Sequence, residues 1–164
     1  DKRRRTFGLL QCHSLDTRQK SACELHMSTI ADIRLKTLPK FLDRQGFLVA
    51  YDAATDFQLD LRRVFVVTGH AGELRGKHAH KQLTQILICL YGACRVTCDD
   101  GVARREVLLD RPEVALEIPP GIWAEQHYVV HDSILMVLCD LPFDESDYIR
   151  NYGDFIALRK EALS

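Results

Sequence analysis

The segment from Gly72 to Gly92 reads GELRGKHAHKQLTQILICLYG, and in it two histidines, His78 and His80, stand one residue apart. The apolar alternation around them predicts a β-strand, in which side chains at i and i+2 share a face. Two imidazoles would then project together. Each titrates near neutrality, so the pair suits proton abstraction and return, provided the shared face lines the interior of a closed β-structure. Arg75, Lys77 and Lys81 surround the pair. The two lysines are one residue out of phase with the histidines, and parity turns both toward solvent. No P-loop or G-x-G-x-x-G turn occurs, so an anionic ligand would have to meet side-chain cations.

The spacing also resembles the first motif of the cupins, G-(x)5-H-x-H-(x)4-E-(x)6-G. Gly72, His78, His80 and Gly92 fall in place, with Gln85 where the motif has Glu. A cupin metal centre wants three imidazoles and a carboxylate. The second motif, G-(x)5-P-x-G-(x)2-H, maps onto Glu113 to Ala124, keeps Pro119 and Gly121, and has Ala124 in place of the third histidine. His127 lies three residues late, on the opposite face by parity. Two of four ligands are missing, so the expectation is no metal and no cofactor, with the histidines free for proton transfer.

The elements that must hold this pair are short strands. From residue 30 onward Val, Ile, Leu and Phe recur in short runs broken by Gly, Pro or Asp, which predicts strands over Ile30–Lys36, Gly46–Tyr51, Arg62–Thr68, Glu73–His80, Thr84–Leu90, Ala93–Cys98, Arg104–Leu109, Val114–Ile118, Ile122–His127 and Ser133–Cys139. Asp99-Asp100-Gly101 is a hairpin turn, and Pro119-Pro120-Gly121 a sharp break. Helical signal is confined to Glu145–Ala162, interrupted near Gly153. The predicted fold is all-β, a cupin or jelly-roll β-barrel with a short C-terminal helix. The chain has 164 residues, one domain on length. Residues 1–26 are basic and aperiodic and read as an N-terminal extension or tag-like segment; 27–164 form the domain. With 46% hydrophobic and 27% charged residues and a net charge of -1, composition points to no nucleic-acid partner and no membrane. Six cysteines without a C-x-x-C pair read as core residues of a cytoplasmic protein.

The blocks RGKHAHKQLTQILICLYGACRVTCDDG, LEIPPGIW and DESDYIRNYGDF, in that order, resemble the dTDP-4-oxo-6-deoxy-D-glucose 3,4-ketoisomerase (WxcM-like) family of sugar-biosynthesis cupins, over Ile33 to Ile156. The resemblance implies a homodimeric, metal-independent jelly roll that binds a thymidine-diphosphate sugar. It implies an enzyme that shifts the sugar's carbonyl from carbon 4 to carbon 3 through an enediol, with His78 as the catalytic base and His80 as its partner. Such chains also work with aminotransferases, and occur fused to acetyltransferase domains. Arg63 and Arg75 match arginines of the family and are the expected diphosphate ligands; Gln85 and Trp123 complete the expected substrate-binding set. Tyr148, Arg150 and Tyr152 are expected to pack the terminal helix.

One departure stands out. Where members carry tyrosine after the Arg-Val of the third predicted strand, this chain has Phe65 and Val66. A phenol able to polarise the carbonyl is missing there, and Tyr51, Tyr91 or Tyr128 would have to replace it. The alternatives are a nucleotide-sugar 3,5-epimerase, which relies on a His-Asp dyad and a tyrosine acid, a non-catalytic sugar-nucleotide-binding cupin, and a metal-dependent oxygenase.

Overall fold

The computed structural model describes residues 27–162; the segment read as an extension, with Cys12 and Cys23, lies outside them. The period-2 patterning folds into strands β1 (Arg34–Thr37), β2 (Lys40–Leu42), β3 (Phe47–Val49), β4 (Arg63–Gly69), β5 (Leu74–His80), β6 (Gln85–Tyr91), β7 (Cys94–Asp99), β8 (Arg104–Leu109), β9 (Val114–Ile118), β10 (Trp123–Tyr128), β11 (Ser133–Cys139) and β12 (Tyr148–Ile149), with helices α1 (Ala53–Phe57) and α2 (Tyr152–Ala162). Two five-stranded antiparallel sheets result, ordered β1-β9-β6-β11-β4 and β12-β5-β10-β7-β8, beside a separate β2-β3 hairpin. This is the predicted all-β jelly roll.

The core lies between the sheets. Leu87, Cys89, Leu116, Leu135 and Val137 of the first sheet meet Cys94, Val96, Cys98, Leu109 and Tyr128 of the second, all buried. The alternate residues of β6, Ile86 and Ile88, are buried too, because Leu38, Phe57 and Leu59 cover that sheet's outer face. A third cluster, Ala79, Trp123, Ile149 and Phe155, seals the outer face of the second sheet beneath α2. Burial on both faces explains why β6 reads QILICLY rather than as a clean alternation. Cys89, Cys94, Cys98 and Cys139 are free and buried, as expected of small core residues.

Two predicted elements are corrected. Ile30–Asp32 is a 3-10 turn, so the first strand starts at Arg34; the Asp32 carboxylate accepts from the Thr29 N–H and hydroxyl, which makes a turn of what reads as a strand. Glu145–Ala162 is not one helix: Glu145–Asp147 is a 3-10 turn, Tyr148–Ile149 pairs with β5, and the helix begins at Tyr152. Gly153 sits in its first turn rather than interrupting it. The short helix α1 went unpredicted; Asp52 caps it, accepting from the N–H groups of Ala54 and Thr55.

Candidate active site

The histidine strand β5 lies between β10 and the two-residue β12. His78 pairs with Ala124 of β10, and His80 pairs with Tyr148 of β12. Both imidazoles line a cavity of about 240 Å³ between the sheets, with Arg63, Phe65, Arg75, Gln85, Gln126, Tyr148 and Arg150 among its walls. The ring centroids of the two histidines are 4.9 Å apart and perpendicular. The predicted pair therefore shares one interior wall.

Each imidazole is held by an acceptor. His78 Nδ1 lies 3.0 Å from the Gly76 carbonyl oxygen, and His80 Nδ1 lies 2.8 Å from Asp147 Oδ2. A carbonyl and a carboxylate only accept, so both Nδ1 atoms carry the hydrogen and both neutral rings keep Nε2 as a free lone pair. Burial lowers the pKa of His78, opposed by the Gly76 carbonyl. Burial, and then the adjacent His78, push His80 down to about 4 against the pull of Asp147. At neutral pH both rings are bases.

Of the expected ligand contacts, Arg63, Arg75 and Gln85 line the cavity. Arg75 gets there through a β-bulge. It lies three residues before His78, and in a regular strand it would face the other way. Gly76 and Lys77 both take positive φ, +78° and +55°, and the β5–β10 register slips between Ala124 and Glu125. The extra residue flips parity, so Arg75 turns inward. A side chain at Gly76 would put Cβ 2.8 Å from the Ala124 carbonyl oxygen, so this backbone needs glycine. Lys77 and Lys81 are exposed, as expected. The Arg63 guanidinium lies over the rings of Phe65 and Phe143, 4.5 and 5.1 Å from their centroids.

Trp123 is corrected. It points to the opposite face of β10 from Ala124 and Gln126, donates from its indole nitrogen to Glu125 at 3.0 Å, and packs on Tyr152 and Phe155. It supports α2 and does not line the cavity. Tyr148 and Arg150 are corrected in the other direction: both are cavity walls. The Tyr148 ring lies 4.9 Å from His78 and 4.4 Å from His80. Arg150 covers its other side at 4.3 Å and is held by Glu145 at 2.6 and 2.9 Å. Tyr152, the first residue of α2, packs the helix onto Trp123 as expected. A strand of two residues has no period to read, so only the pairing of β12 with β5 reveals the role of this block.

The missing phenol also finds its context. Phe65 faces the cavity, but Val66 points outward and is 55% exposed, so one of the two replaced positions bears on the site. Tyr51 donates to the Pro112 carbonyl on the outer layer, Tyr91 is exposed, and Tyr128 is buried in the core. Tyr148 is the tyrosine among the cavity walls. Among the described residues no group of three or more His, Cys, Asp or Glu is arranged to hold a metal ion.

The family model described as FdtA, WxcM-like, C-terminal, matches residues 31–160. The chain is 43% identical over 117 residues to the TDP-4-oxo-6-deoxy-α-D-glucose-3,4-oxoisomerase of Aneurinibacillus thermoaerophilus, covering 71% of this chain and 84% of that one. The sugar 3,4-ketoisomerase QdtA of Thermoanaerobacterium thermosaccharolyticum, solved with TDP, superposes with a TM-score of 0.78 at 31% identity, covering 83% of this chain and 100% of that one. A histidine-to-asparagine mutant of QdtA, in complex with TDP-4-keto-6-deoxyglucose, superposes with a TM-score of 0.77 at 30% identity, over 81% and 97% of the two chains. On the match of sequence and fold together, this chain is a member of the FdtA, WxcM-like family.

Proposed function

We propose that the protein is a sugar-nucleotide 3,4-ketoisomerase that moves the keto group of TDP-4-keto-6-deoxy-D-glucose from carbon 4 to carbon 3. The observation that carries this reading is the pair of neutral imidazoles, His78 and His80, side by side in a cavity walled by three arginines and no carboxylate. His78 Nε2 takes the proton from carbon 3, the electrons collapse toward the carbon-4 carbonyl, and an enediol forms. The same proton carrier then returns a proton to carbon 4, while the hydroxyl proton of carbon 3 passes to the oxygen on carbon 4. Nothing is oxidised or reduced overall. General acid/base catalysis of this kind contributes about 10²–10⁴-fold.

Arg63, Arg75 and Arg150 hold the diphosphate and the developing enediolate oxygen, with Gln85 as a neutral hydrogen-bonding partner. The cavity is smaller than the roughly 300–1,000 Å³ that encloses a whole drug-sized ligand, so the hexose enters and the nucleotide lies across the mouth. The protein works as a homodimer; Val64 and Val66 on the outer face of β4 are exposed apolar residues on an edge strand, of the kind a second copy covers. The buried free thiols suit the reducing cytoplasm. The ketone at carbon 3 is the substrate type an aminotransferase consumes, and acetylation of the new amine follows.

The test is incubation with TDP-4-keto-6-deoxyglucose in deuterium oxide, with the product read by proton NMR. Isomerisation places a ketone at carbon 3 and deuterium at carbon 4 of the product, with exchange at carbon 3 in substrate re-formed by the reverse reaction, and His78→Asn loses turnover by about 10²–10⁴-fold. The His80–Asp147 dyad and Tyr148 also make up the constellation named above for a 3,5-epimerase. Exchange at carbons 3 and 5 would select that reading. A variant with unimpaired turnover would remove His78 from the mechanism.

A further inference from the structure

The turn Asp144–Asp147 and β12 are locked onto the end of the histidine strand. Asp147 is the joint. Its backbone carbonyl accepts from the Lys81 N–H at 2.9 Å. Its Oδ1 accepts from the Gln82 N–H at 2.8 Å, and its Oδ2 faces His80 Nδ1 at 2.8 Å. The imidazole side chain is 4% exposed and the carboxylate 11%, so water does not compete for this contact. On the other side of His80, its backbone carbonyl accepts from the Gly121 N–H at 2.7 Å. The ring is thus fixed from behind, and its one unengaged nitrogen is Nε2.

We propose that Asp147 is a positioning residue for proton transfer: it holds His80 as the Nδ1–H tautomer, so that Nε2 meets the substrate as an acceptor. This rests on the ketoisomerase reading and deepens it, because it gives the two histidines different supports. His78 leans on a backbone carbonyl that no side-chain substitution removes. His80 leans on a carboxylate that can be replaced.

The geometry makes the consequence of Asp147→Asn specific. The Gln82 N–H needs an acceptor, so the asparagine oxygen stays on it and the NH₂ turns to His80. Nδ1 must then accept, and the ring switches to the Nε2–H tautomer. It would present a donor to the cavity where the reaction needs an acceptor.

Two measurements on the full chain test this. Long-range proton–nitrogen NMR correlations of the unmodified protein should report Nδ1–H for His80, and those of Asp147→Asn should report Nε2–H. Steady-state turnover of TDP-4-keto-6-deoxyglucose should fall by about 10²–10⁴-fold in kcat, with KM changed by less than about threefold, since no substrate contact is lost. Asp147→Glu, which keeps the carboxylate, should recover part of the lost kcat. An Nε2–H tautomer for His80 in the unmodified protein overturns the proposal even if Asp147→Asn fails to fold. So does a switched tautomer with unchanged kcat, or a variant whose loss lies wholly in KM. An unmodified protein that leaves the sugar unchanged overturns the ketoisomerase reading instead, while the tautomer measurement still decides the role of Asp147.

Discussion

His80 is a base whose burial makes it weak, and this has a measurable effect on stability. Its pKa of about 4 in the fold lies below the ordinary value of 6.5. Below pH 6.5 the unfolded chain binds a proton that the folded chain refuses, so the fold loses stability as pH falls toward 4 and carries no such penalty above 6.5. A shift of this size corresponds to roughly 3 kcal/mol by pH 4. Urea titrations at pH 7.5 and 4.5 should show a steep acid loss in the unmodified protein. The loss should be smaller in His80→Gln, which has no proton to refuse; equal acid slopes would mean that His80 does not carry the effect. Among the arginines, Arg75 projects into the cavity free of any salt bridge shorter than 4 Å to a described carboxylate, whereas Arg150 is bound to Glu145. Arg75→Gln should therefore weaken TDP binding about 10- to 150-fold by calorimetry, in line with the roughly 1.5–3 kcal/mol typical of hydrogen bonds to charged groups.

At the scale of elements, the bulge in β5 decides what the site contains. A regular strand would place Arg75 with Lys77 on the outside, and the cavity would lose a cation. Gly76 permits the bulge because φ of +78° costs an L-residue about 1–2 kcal/mol, and because any Cβ would strike the Ala124 carbonyl oxygen. Gly76→Ala should lower the melting temperature and raise KM together, since fold and cation share one backbone feature. A variant as stable and as tight-binding as the parent would show that the bulge is not needed. β12 is the second such element. It adds two residues to the open side of β5 and brings Asp147, Tyr148 and Arg150 to the histidines.

For the molecule as a whole, both sheets are covered over part of their outer faces, the first by the 38–59 segment and the second, at β5, β10 and β12, by α2. Cover is incomplete at β4, where Val64 is 51% and Val66 55% exposed. The double variant Val64→Asp, Val66→Asp places two charges on the face proposed to meet a second copy. Sedimentation should report a dimer for the parent and a monomer for this variant. A parent that sediments as a monomer would refute the dimer. Arg159 of α2 ties three parts of the chain together: buried, it donates to the Ser28 carbonyl at 2.6 Å and toward that of Gly121 at 3.4 Å, which links the helix, the residues before β1 and the Pro-Pro-Gly turn beside His80.

The sequence alone determined the sandwich of short strands, the shared face of His78 and His80, the two gaps in the cupin ligand pattern and the cysteines of the core. These follow from period-2 patterning and fixed offsets, which act between near neighbours. Tertiary structure alone decided that Arg75 faces inward, that Trp123 faces out, and that Asp147, Tyr148 and Arg150 belong to the site. A bulge is a property of two paired strands, and a two-residue strand exists only through its partner. Neither leaves a period in the chain, because the forces that create them act between residues up to 67 apart in sequence, as in the bond from His80 to Asp147.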